Sequence, residues 1–207
     1  MDPISDEMYT RLGISSKSKK ALFDHHPDAT YNAGNARPLS PTDMIITLHQ
    51  QQLHPGPRLD EFMTTKVLPG IFQSLNFRKE SHAALLSTSG TGHTISLVKL
   101  CTDVFIRGTT DAYFGSAIWT VQPDLLEFFI RWEYTNWKFL FQLPAMMSRD
   151  MLAARGELVR AFTKYCELPD EQRQDRSYFI EKLETMLREV GLSSKEIGSV
   201  MMLHYWA

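Results

Sequence analysis

The residues best equipped for chemistry are seven histidines and two cysteines. His25 and His26 are adjacent and precede Pro27-Asp28. Neighbouring side chains seldom reach one metal ion together, so this pair reads as loop surface. His49 and His54 are five apart and run into Pro55-Gly56-Pro57. The His-Glu-x-x-His spacing that would set two zinc ligands and a base on one helix face is absent. Cys101 falls inside an apolar helical stripe and reads as a buried, inert thiol. Cys166 lies towards a helix C-terminus, where the dipole opposes a thiolate. With two cysteines in all, a disulfide scaffold and a multi-cysteine zinc site are excluded.

Other constellations are weaker. Asp60-Glu61 and Asp170-Glu171 have basic neighbours and read as solvated faces. The run Ser87-Thr88-Ser89-Gly90-Thr91-Gly92 lacks the Gly-Lys-Ser/Thr ending of a phosphate loop. No Gly-x-Ser-x-Gly elbow is present. The residues therefore assign no catalytic, cofactor-binding or metal-ligating position. One cluster is informative: Phe128, Phe129, Trp132, Tyr134, Trp137, Phe139 and Phe141. It reads either as core packing or as the wall of an apolar ligand cavity.

The elements that would position these residues are helices. The chain has 207 residues, 43% hydrophobic and 22% charged, which is globular composition. A formal net charge of -2 leaves no basic field for nucleic acid. The N-terminus has no signal-peptide core, and no stretch approaches the ~20 apolar residues of a membrane span. On sequence alone a soluble intracellular protein with reduced thiols is expected. Ser40-Pro41-Thr42-Asp43 opens a helix running to about Leu53. A second spans Arg58 to Leu75, to be kinked or ended by Pro69-Gly70. The stretch 76–93 reads as a loop. Thr94 to Phe114 is the clearest helix, with Val98, Cys101, Phe105, Gly108 and Ala112 on one face and Gly115 as its stop. Pro123 starts another, followed by an aromatic connector from Trp137 to Met147. Ser148 caps a helix to about Cys166, Ser177 opens one to Val190, and Ser193 with Glu196 forms a capping box. The last helix carries Ile197, Val200 and Met201 and has no C-cap before Ala207. The expectation is a mainly α fold of seven or eight helices with no substantial sheet.

The order and wording of these segments resemble the middle of a fungal cytochrome P-450, in the branch of sterol 7α-hydroxylase and prostacyclin synthase. Four stretches carry the resemblance. Leu39 to Met44, continuing through Gln52-Leu53-His54-Pro55-Gly56-Pro57-Arg58-Leu59-Asp60, is similar to that family's helix C turning into helix D. Leu100 to Gly115, with its Phe114-Gly115 ending, is similar to helix E. Pro123 to Arg155 resembles helices F and G and their connector. Tyr165 to Pro169, followed by Tyr178-Phe179 and Leu183-Glu184, resembles the end of G and then H. Met201 to Ala207 would open helix I. The match covers nearly all of 1–207 as one partial domain and is weak over 1–38.

The resemblance implies haem and O₂- and NADPH-driven monooxygenation of an apolar substrate, a sterol or a fungal secondary metabolite. It also implies a reductase partner and, for full-length members, the endoplasmic reticulum membrane. The haem-ligating Phe-x-x-Gly-x-x-x-Cys-x-Gly is absent, and neither cysteine has its context. Glu157 and Arg160 are spaced as Glu-x-x-Arg, but in the helix-G-like stretch. His49 is the nearest equivalent of the basic helix-C residue that meets a haem propionate. The chain is thus expected to be a truncated, inactive member of the family. The alternative is a free-standing all-α binding protein that uses the aromatic cluster around Trp132.

Overall fold

A computed structural model describes residues 3–75, 84–90 and 92–206, with side chains from 6 to 205 within those ranges. The fold is mainly helical, as expected, and its one sheet among the described residues is a two-stranded hairpin. Helices α1 (Pro3–Arg11) and α2 (Ser16–Phe23) lie in the N-terminal stretch that the sequence pattern left unassigned. Helix α3 (Pro41–Leu53) begins where the sequence predicts, with the Ser40 hydroxyl accepting from the Asp43 amide. Its buried face is Met44, Ile45, Leu48 and Gln52.

The Arg58–Leu75 helix is realised as α4 (Pro57–Phe62), a π-helical Met63–Val67 and α5 (Leu68–Ser74). Pro69 neither ends nor breaks it. The ring removes an amide and crowds the turn before it, and the chain answers by widening that turn. The amide of Leu68 reaches back to the Met63 carbonyl.

The hairpin β1 (Leu85–Ser89) and β2 (Gly92–Ile95) replaces part of the expected loop, and Gly90 turns it at φ 56°. Residues 76–83 and 91 of that loop lie outside the described residues. Thr94 and Ile95 therefore belong to a strand, and the following helix starts later, at α6 (Leu97–Cys101), capped by Ser96. It passes through a π-helical Thr102–Arg107 into α7 (Gly108–Phe114). Here the expected single apolar face fails. Each π-turn spends one more residue than an α-turn, rotating everything before it by about 100°. Gly108 and Ala112 are buried, but Val98 and Phe105 are 72% and 64% exposed. Cys101 is exposed too, contrary to the expectation of a buried thiol.

Gly115 stops α7 at φ 72° as expected. Helix α8 (Ala117–Val121) follows, and α9 (Leu125–Thr135) starts two residues after Pro123. The connector contains α10 (Trp137–Leu140) and a 3₁₀ turn at Ala145–Met147. Ser148 precedes α11 (Arg149–Glu167) without capping it, because its hydroxyl donates to the Leu143 carbonyl instead. Helix α12 (Tyr178–Glu189) is capped by Ser177, and α13 (Ser194–Trp206) by the expected box. In that box the Ser193 amide and hydroxyl donate to Glu196 at 3.0 and 2.7 Å.

The core sits between α11 and α13. Leu158, Phe162, Tyr165, Ile197 and Val200 have no exposed surface. Gly198 sets how closely the two helices approach: a Cβ there would lie 2.6 Å from Thr163 Oγ1 and 2.7 Å from its amide nitrogen. Helix α9 packs on α11 and brings in Leu125, Phe129 and Trp132. Helix α12 adds Phe179, Leu183 and Leu187, and packs against α3. One ionic network is buried with them. Arg173 bridges Glu184 at 2.5 Å and Asp170 at 3.0 Å, and Arg188 holds the other Glu184 oxygen at 2.8 Å. The pairing satisfies a carboxylate that would be costly to bury alone.

Candidate functional site

A cavity of about 330 Å³ opens between α3, α7, α12 and α13. Its walls are mostly apolar, including Leu53, Phe114, Phe179 and Met201, with His49, His204 and Tyr205 among them. Among the described residues no lysine, arginine or carboxylate lines it. Each histidine is brought there by an ordinary helical period. His49 follows Ile45 by four on the buried side of α3. His204 follows Val200 by four and Met201 by three, which places it on the core stripe of α13. Of these two rings the sequence reading weighs only His49, yet the spacing Ile197, Val200, Met201, His204 is the available signal for the second.

His49 Nε2 and His204 Nδ1 lie 3.4 Å apart, with ring centroids 5.4 Å apart. Phe179 braces both rings. Its centroid is 4.2 Å from that of His49 and 6.1 Å from that of His204, edge-on to the latter. Burial lowers both imidazole pKa values, that of His204 to about 4 with a smaller push from the His49 charge. Burial thus favours the neutral form of both rings. The outer nitrogen of His204, Nε2, is shut off from solvent with no hydrogen-bond partner among the described residues. Beside the pair, the Thr110 and Tyr205 hydroxyls share a 2.8 Å hydrogen bond.

The other sequence candidates are dispersed. His26 Nε2 is 2.8 Å from the Ala21 carbonyl in a loop, and His54 is the C-cap of α3. Cys166 is buried with its Sγ 3.4 Å from Met201 Sδ, and burial pushes its thiol up to about 12. The aromatic cluster divides: Phe129, Trp132 and Phe139 are core, while Tyr134, Trp137 and Phe141 face outward. None of them lines the histidine cavity. Glu157 pairs with Arg160 at 2.6 Å on an outer face. Among the described residues, no group of three or more His, Cys, Asp or Glu is gathered for a metal, and no helix is long and apolar enough to cross a membrane.

No protein-family model matches the chain, and no curated protein or solved structure shows a significant match to it.

Proposed function

We propose that this chain is the central helical part of a cytochrome P-450-like monooxygenase and that these residues hold no haem by themselves. The observation that supports this reading is that the four resembling stretches fall on successive helical units. Helix α3 meets α4 through the Pro55-Gly56-Pro57 turn. The second unit, α6 to α7, stops on Gly115. Helices α9 and α11 are joined by the aromatic connector, and α12 follows.

The side chains present do not fit a haem. A thiolate ligand must be deprotonated and face the iron. Cys166 is packed in the core with its pKa raised to about 12, which keeps it a thiol. Cys101 is exposed on the π-turned helix. Burial lowers the His49 pKa and so disfavours the positive charge that would pair with a propionate. We derive no catalytic step from these residues. On this reading they shape the substrate-side helices of an enzyme whose haem chemistry lies elsewhere, on an apolar substrate and with a reductase partner.

Two measurements test this. The isolated chain, mixed with haem, reduced and treated with carbon monoxide, should give no band at about 450 nm; such a band marks thiolate-ligated haem and would overturn the claim of inactivity. The genomic DNA around this coding stretch should encode Glu-x-x-Arg and the haem cysteine motif in frame; without them the family reading fails.

The histidine cavity favours a second reading, a free-standing helical protein that binds a small apolar ligand. Cooperative unfolding of the isolated chain would support it, whereas a molten, dye-binding chain would count against it.

A further inference from the structure

We propose that His49 and His204 form a two-histidine site for one borderline divalent transition ion of the zinc, nickel or copper class. This inference does not depend on the family reading, because it uses only residues of this chain. Two imidazoles bound to one tetrahedral ion at about 2.0–2.1 Å place their donor nitrogens about 3.4 Å apart. His49 Nε2 and His204 Nδ1 are already 3.4 Å apart. The ring centroids are 5.4 Å apart and the ring planes are inclined at 51°, so the contact is not a coplanar one. As a hydrogen bond the contact is long and therefore weak, and little is lost when an ion replaces it.

Three further features suit an ion. Imidazole is the ligand type that zinc, nickel and copper prefer, and it binds only when neutral. The rings come from helices 155 residues apart in sequence, yet Phe179 fixes both, so the site is formed before any ion arrives. The cavity beside them leaves room for water or a small anion to complete the coordination, and no cationic side chain lines it.

The same features limit affinity. No carboxylate neutralises the ion, and no acceptor among the described residues backs His204 Nε2, a contact that usually orients a ligating ring. The ion must therefore bind through Nδ1 of the Nε2–H tautomer of His204, with Nδ1–H on His49.

The test is calorimetric titration of the untagged chain with zinc chloride, with cobalt(II) absorption as a second probe. Expected is saturable binding of one ion per chain, with tetrahedral cobalt bands. His49→Gln, which keeps bulk at a partly buried position, should weaken binding by about tenfold or more, since even loss of an outer partner costs that much. His25→Ala/His26→Ala should leave it unchanged. Imidazole NMR shifts of both His49 and His204 should move with zinc in the unmutated chain. The proposal is overturned if one-to-one binding is not seen, if His49→Gln binds as the unmutated chain does, or if the signal follows His25 and His26.

Discussion

The packed helices α11 and α13 and the two helical units that pass through a π-turn, α4 to α5 and α6 to α7, carry apolar residues at similar helical spacing, but they bury them differently. In the first pair Leu158, Phe162, Ile197 and Val200 lose all contact with water, and Gly198 lets the helices close. In the second region Phe72 on α5, Val98 on α6 and Phe105 in the π-helical turn stay largely exposed. The regular pair has unbroken α geometry, while α5 and α6 each adjoin a π-helical turn. Apolar periodicity therefore reports that a helix forms. Whether its face is covered depends on the turn geometry that aims it.

Substitutions in the two regions can sharpen or break this contrast. Phe162→Ala should destabilise most, by about 4 kcal/mol, because it empties a fully enclosed site. If urea unfolding shows no greater loss than for Phe105→Ala, the contrast collapses. Acidification comes next. His204 is protonated below pH 6.5 when unfolded but only below about 4 when folded, so the unfolded state takes up more protons in that window. Stability is full above pH 6.5 and falls as pH drops towards 4, by an amount on the order of 3 kcal/mol. Unfolding midpoints at pH 7.5 and 5 read this directly, and His204→Asn should flatten the difference. Glu196 acts in a lower window. Burial opposes its charge, but hydrogen bonds from Ser18, Ser193 and Ser15 outweigh that and hold it at about 2, so its contribution is lost only below about pH 4.5.

Gly198→Ala should cost about 2 kcal/mol, since the new methyl meets backbone and Thr163 and must push α13 off α11. A thermal midpoint equal to that of the unmutated chain would show that the helices are not so tightly apposed. The smallest effect belongs to the π-turned region: Phe105→Ser should change stability by less than about 0.5 kcal/mol while reducing light scattering at high concentration. A large loss of stability would mean that this face is covered after all.

The parts of the fold governed by local rules were legible in the sequence. Ser40, Ser177 and the Ser193/Glu196 box start their helices where capping chemistry says they should, and Gly115 stops one. The misreadings have physical causes. Cys101 was placed on a buried face by counting 3.6 residues per turn through a segment that turns more slowly. Ser148 gave up its cap for a competing carbonyl. The hairpin escaped because its short strands are exposed and lack apolar alternation. Of the candidate site, His49 was visible and its partner was not. Only tertiary packing sets His204 against it, although the spacing on α13 had already put that ring on the buried side.

The wide turn at Thr102–Arg107 also has a consequence for how the chain tolerates change in length. A π-turn is an α-helix carrying one residue too many. Deleting one residue there would let the segment close into regular helix, sparing the backbone, but would swing α6 by about 100° relative to α7. Gly108, which faces Gly70 across the gap to α5, would keep its place. Val98 and Cys101 would take up a new heading. This stretch behaves as a rotary joint in sequence space, where a change of one residue re-aims an exposed face without unfolding the helix that carries it.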